Sequence, residues 1–224
     1  MQADNRAIQA AGAMPLNVLT ATTLQTPDGL LASQLSDASE VERQVTALLA
    51  AYPVGAIKIG MLGHASIVEA VARALQAQEK PPFVVLDPVL RTSSGSPLLD
   101  AAGLEILNQR LLPLVGLVTP NLEERPLLNV PESLAVLLTG GHAEGAECVD
   151  RLTLPNGQEE AFSAERMETT NTRGTGCALS SAIAAYIALG KALPEACQQA
   201  KDLLHSSLTR NVDKGFIAPG PSFF

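Results

Sequence analysis

Four short apolar runs constrain this chain more than any other feature. They are residues 55–59, FVVLDPV (83–89), LVGLVTPN (114–121) and LAVLLTGGH (134–142). Each is too short for a helix and reads as a buried strand. Helical patterns lie between and around them. From Ser36 onward Val41, Val45, Leu48, Leu49 and Tyr52 fall on one helical face. A second amphipathic helix covers about 65–79 and is stopped by Pro81-Pro82, and a third covers 100–112. Apolar strands alternating with amphipathic helices predict an α/β fold with a mainly parallel sheet covered on both faces. Ahead of this core, residues 3–12 read as a helix, 16–24 as a strand and QTPDG (25–29) as a turn. Beyond it come a hairpin over 147–163 about Asn156-Gly157, a long helix over 174–190 and a last helix over about 194–210. No repeat or linker interrupts the pattern, so residues 1–224 are expected to form one domain.

Composition removes several function classes. With 46% hydrophobic and 17% charged residues the chain is globular. Two Tyr, five Phe and no Trp leave a largely aliphatic core. Fifteen Lys and Arg against 23 Asp and Glu give a net charge of −8, which argues against binding nucleic acid or an anionic membrane. No apolar run is long enough to span a bilayer and no signal peptide is evident. The three cysteines, Cys148, Cys177 and Cys197, suit neither a disulfide framework nor a zinc site, so a reducing cytoplasm is the expected location.

In open α/β sheets ligands bind beyond the carboxyl ends of the strands. Here those ends read KIGMLG, LDPVLRTSSG, VTPNLEE and LLTGGH. Plain connections seldom need so much polar and glycine-rich sequence, so one site is expected along that edge. The sharpest signal is Asn171-Thr172-Arg173-Gly174-Thr175-Gly176-Cys177, which opens a helical run. Gly174, Thr175 and Gly176 allow a tight turn, and the helix start offers N–H donors and a positive dipole end. That is an anion hole suited to a transferring phosphoryl group. The plain alternative is a glycine-rich helix start that binds nothing. Cys177 in the first helical turn is a position that lowers a thiol pKa and suits a base or nucleophile; its alternative is a small, inert core residue. Asp87, before Pro88, and Glu124 could share Mg²⁺, which takes one or two carboxylates plus phosphate oxygens. Their alternatives are a turn cap and a solvated charge. Met61 either packs on a planar ligand or simply fills the core. His64, His142 and His205 have no metal-binding spacing.

Taken in order, QAD (2–4), VLTATTLQT (18–26), AIKIGMLG (56–63), LDPV with SG and PLL (86–99), TPNLEE (119–124), TGGH (139–142) and NTRGTGC (171–177) resemble the hydroxymethylpyrimidine/phosphomethylpyrimidine kinases of thiamine biosynthesis, a ribokinase-like family. The matching segments span nearly the whole chain, and GTGC with cysteine points to this branch. The resemblance implies a three-layer α/β/α fold and two ATP-dependent phosphorylations. The first acts on the hydroxymethyl group of 4-amino-5-hydroxymethyl-2-methylpyrimidine, the second on that monophosphate. It implies that Gln25 hydrogen-bonds the pyrimidine and that Met61 and Val89 line its pocket. Asp87 and Glu124 would act around Mg²⁺ and the ATP phosphates, with Thr139 and Thr172 also on the nucleotide side. Gly174, Thr175 and Gly176 would form the anion hole, and Cys177 would sit where the hydroxyl is activated. A homodimer is the family's usual state.

Three departures stand out. The family opens with a strand ending in a glycine-rich segment, and this chain begins after its equivalent, so the sheet is expected to lack that first strand. The stretch from Glu124 to Thr139 is roughly twenty residues shorter than in the family. Its Pro126 and Pro131 disfavour a helical crossover, which points to an omitted segment near Glu124–Arg125. The family often has Lys where Thr139 stands and His where Arg173 stands. Two other functions compete: a pyridoxal or pyridoxamine kinase of the same fold, and a non-catalytic pyrimidine-binding regulator.

Overall fold

The computed structural model describes residues 1–26, 29–92, 95–140, 146–167 and 174–210. Its first element is helix α1 (Gln2–Ala10), which carries Asp4 in its first turn. An antiparallel pair follows, β1 (Ala21–Thr26) and β2 (Gly29–Leu35), standing apart from the main sheet. Sequence reading missed β2, because Gly29–Leu35 lacks a clean apolar alternation; Leu24 and Leu31 across the pair are 60% and 64% exposed. The strand expected over 16–24 begins only at Ala21. Helix α2 (Ala38–Ala51) starts where the Asp37 carboxylate accepts the N–H groups of Ser39 and Glu40 at 2.9 and 3.1 Å.

The central sheet has six strands in the order β3 (Ala56–Ile59), β4 (Phe83–Leu86), β5 (Leu117–Val118), β6 (Ala135–Leu138), β7 (Glu147–Thr153) and β8 (Glu159–Glu165). The first four pair in parallel; β7 and β8 are added antiparallel, as the expected hairpin. Among the described residues β3 is an edge, with no strand beyond it. The apolar runs 83–89 and 114–121 yield shorter strands than their sequence suggests, since Pro88 and Pro120 cannot continue a ladder.

Pleating splits the core in two. On β4, Val84 and Leu86 face one layer and Val85 the other. The first layer is α2, α3 (Ala65–Gln76) and α4 (Ala101–Ile106), packed through Ile67, Leu75 and Leu107. The second is α1, α5 (Thr175–Ala188) and α6 (Leu193–Arg210), packed through Leu179, Ile183 and Ala200. Helix α5 is apolar and small-sided all round, which fits its burial against the sheet and two helices. The helix expected over 100–112 is not one piece: α4 widens to a π turn at Leu107–Leu111 and tightens to a 3₁₀ turn at Leu112–Leu114, beside Pro113.

The short connection from β5 to β6 closes without a helix. Its one regular element is a 3₁₀ turn at Arg125–Leu127. Backbone bonds from Arg125 N–H to Asn121 and from Leu127 N–H to Glu124, both 3.0 Å, run through the junction where an omission was expected. Leu128 and Leu134 turn inward and cover the core there.

Candidate active site

The parallel strands deliver their carboxyl ends to one edge, and the start of α5 faces them. Asp87 follows β4; its N–H donates to the Ile59 carbonyl at 2.8 Å, which fixes it beside the end of β3. It is 7% exposed, and its Oδ2 accepts the Ser180 hydroxyl of α5 at 3.2 Å. The same oxygen is 3.7 Å from the Lys58 ammonium of β3. Lys58 Nζ donates to Asp4 Oδ1 at 2.7 Å, and that oxygen also accepts the Ser181 hydroxyl at 2.8 Å. Residues of α1, β3, the end of β4 and α5 therefore meet in one charged cluster, which also takes in the Met1 ammonium on Asp4 Oδ2. Each charged group in it has at least one partner of opposite charge, as burial requires.

Glu124 is folded inward by its own segment. Asn121 Oδ1 accepts the Glu124 N–H at 2.8 Å, and the Glu124 carboxylate accepts the Asn121 N–H at 3.1 Å, a reciprocal box. Its other oxygen accepts the Leu90 N–H at 3.3 Å. The residue is 9% exposed, so it is not a solvated charge. Burial pushes its carboxyl up to about 7, opposed by those two N–H groups and assisted by the charge of Asp87. Among the described residues no three side chains are grouped as metal ligands, so Asp87 and Glu124 could hold Mg²⁺ only with water and phosphate oxygens completing its shell.

Gly174 precedes α5 with φ +79°, the left-handed region, and has no side chain of its own to cap the helix. The first turn of α5, with its positive dipole end, lines the cleft. Cys177 lies in this turn, half-buried. The expected low thiol pKa is not found. Burial pushes it up to about 12, Asp87 and Asp4 push the same way, and Lys58 opposes them. The helix start does not outweigh desolvation here. Since alkylation follows the thiolate fraction, iodoacetamide at pH 7.5 should modify Cys177 at least about 10²-fold more slowly than a free thiol. Peptide mapping by mass spectrometry checks this; labelling at the free-thiol rate would show a thiolate.

Of the other expected residues, Gln25, Met61, Val89 and Thr139 line the same wide groove. Gln25 lies on β1 at a register shift, and Met61 and Val89 are half-buried after β3 and β4. The Thr139 amide and hydroxyl donate to the Pro120 carbonyl at 2.9 and 3.3 Å, so this residue ties two loops together. Thr172 lies outside the described residues. Sequence reading did not single out Lys58, Asp4 or Ser180. The lysine inside an otherwise apolar strand was the available signal.

The family model for phosphomethylpyrimidine kinase matches residues 1–133 and 127–220, two pieces that meet at the short β5–β6 connection. This chain belongs to the phosphomethylpyrimidine kinase family. The hydroxymethylpyrimidine/phosphomethylpyrimidine kinase of Salmonella typhimurium is 37% identical over 96% of this chain and 89% of that protein. Among solved structures, phosphomethylpyrimidine kinase from Clostridium difficile 630 superposes with a TM-score of 0.77 at 30% identity, covering 92% of each chain. Pyridoxal kinase from Staphylococcus aureus, in complex with AMP-PCP and pyridoxal, shares the fold with a TM-score of 0.81 at 24% identity, over 99% of this chain and 87% of that one. The fold is thus the expected ribokinase-like one, and the family is a phosphotransferase family. No helix among the described residues is long and apolar enough to cross a membrane.

Proposed function

We propose that this chain uses ATP to phosphorylate 4-amino-5-hydroxymethyl-2-methylpyrimidine and then its monophosphate, and that residues 1–224 act as one kinase domain. The observation that carries the reading is the glycine turn at the start of α5, a helix that carries Cys177 in its first turn and bonds Asp87 through Ser180. Phosphoryl transfer relies on positioning and charge stabilisation more than on covalent chemistry. In this reading the Gly174–Gly176 amides receive the transferring phosphoryl oxygens, and Asp87 and Glu124 hold Mg²⁺, which supplies charge neutralisation when bound. Thr139 and Thr172 lie on the nucleotide side. Cys177 faces the acceptor hydroxyl as a neutral thiol, so the hydroxyl is not ionised in advance by a resident thiolate. Its proton departs late, as a loose transition state permits. Asp87 is the carboxylate beside it.

Met61 and Val89 would bracket the heterocycle, and Gln25 would meet its edge. The Gln25 amide carries both donor and acceptor and has no side-chain partner among the described residues. Gln25→Ala should weaken pyrimidine binding by on the order of 1–3 kcal/mol and leave ATP binding nearly unchanged. Calorimetry with each ligand checks this, and unchanged pyrimidine affinity would remove Gln25 from the site. The reading includes a homodimer working in the cytoplasm, the former checked by light scattering. The function itself is tested by ADP release with the pyrimidine alcohol, its monophosphate and pyridoxal as separate acceptors. Turnover of pyridoxal alone would favour the vitamin B6 kinase alternative, and pyrimidine binding without turnover would favour a regulator.

A further inference from the structure

Lys58 sits in an apolar strand, its side chain 9% exposed, where an ammonium is costly unless carboxylates surround it. Two do: Asp4 Oδ1 at 2.7 Å and Asp87 Oδ2 at 3.7 Å. The Met1 ammonium also meets Asp4, at Oδ2, so two cations face two anions in the cluster. The Asp4 carboxylate at 2.7 Å is the nearest counter-ion of the Lys58 ammonium. A neutral alcohol can approach such a cluster freely. A phosphorylated acceptor brings about two further negative charges at neutral pH and is repelled by Asp87.

The ammonium has a donor to spare. An ammonium carries three N–H groups; one is used on Asp4, and Asp87 lies beyond hydrogen-bond distance. The space beside it is kept open by Gly60, where an added Cβ would lie 2.8 Å from Nζ. Gly60 directly precedes Met61, which the proposed function sets against the heterocycle. We propose that Lys58 binds the phosphate of a phosphorylated acceptor and so decides whether this chain can carry out a second transfer.

The proposal rests on the pyrimidine kinase reading above. In the first transfer the acceptor hydroxyl oxygen bonds to the γ-phosphorus, the bond from that phosphorus to the β–γ bridging oxygen breaks, ADP leaves and the hydroxyl proton is released. In the second, a phosphate oxygen of the monophosphate makes the same attack and ADP again leaves. No proton has to be lost from a dianionic acceptor, so the demand shifts from proton removal to charge neutralisation. Lys58 is placed to meet the second demand.

Steady-state kinetics of the full chain with both acceptors tests this. Lys58→Met should lower kcat/KM for the monophosphate roughly 10- to 100-fold more than for the alcohol, the range expected for a lost hydrogen bond to a charged group. Lys58→Met leaves Asp4 with only the Met1 ammonium and the Ser181 hydroxyl as partners and so strains folding. The double variant Asp4→Asn/Lys58→Met removes one charge of each sign and should show the same discrimination. Equal losses for the two acceptors in the folded variant would make Lys58 a structural counter-ion and overturn the proposal. A wild-type chain that phosphorylates neither acceptor would overturn the kinase reading, and this inference with it. Wild-type turnover of both acceptors together with an unchanged acceptor ratio in the variants would overturn this inference alone.

Discussion

Asp87→Asn should cut turnover by about 10³-fold while leaving the protein folded. Asparagine keeps the shape of the side chain and an oxygen for the Ser180 hydroxyl, so the link from β4 to α5 survives. What disappears is the negative charge. That charge is one of the two facing a metal in the proposed site and one of the two balancing Lys58. Loss of charge at a group meant to meet charge developing in the transition state is felt in kcat, since the ground state needs it less. Initial rates at saturating substrates, beside a thermal melt of the same sample, check this. A folded variant that keeps a tenth of wild-type turnover would place Asp87 outside the chemistry.

Gly174 and Gly176 should respond in opposite ways, though they stand two residues apart. Gly174 holds φ +79°, and an added Cβ would approach the Ala3 Cβ to 3.3 Å. Gly174→Ala should therefore cost about 1–2 kcal/mol of stability, read from urea unfolding, because an L side chain is disfavoured in that region. Gly176 has ordinary dihedrals and nothing within 4 Å of an added Cβ, since it faces open space. Gly176→Val should leave the unfolding midpoint nearly unchanged. It should still lower turnover about 10²-fold by filling the space in front of the first-turn amides. Equal effects of the two substitutions on stability would mean that the motif serves packing alone.

Strand and helix order were legible because apolar period and length survive in a single sequence. The β4 run showed a buried strand, and the glycine turn showed the start of α5. What stayed hidden depended on tertiary context. The strand Gly29–Leu35 is exposed on both faces and so has no apolar period to read. The break at Leu107 follows from how the helix meets its neighbours. At the site, spacing identified Asp87, Glu124 and Cys177, but their protonation was out of reach. Cys177 sits at a helix start, which lowers a thiol pKa, yet desolvation in the folded cleft outweighs it. Glu124 looked like a surface charge until Asn121 was seen to fold it inward. Lys58 could be recognised only once Asp4 and Asp87, distant in sequence, were placed around it.

The partners of Asp4 set a timetable for making this protein. Lys58 lies 54 residues further along the chain and Ser181 lies 177 residues further. At ribosomal speeds of about 5–20 residues per second, helix α1 waits roughly 10–35 s for the α5 surface it packs on. During that interval its inward face and the unfilled side of β3 are open to chaperones and to other nascent chains. The site is consequently among the last features to form, and a chain stalled before α5 presents a sheet with one layer of helices and no phosphoryl-binding turn.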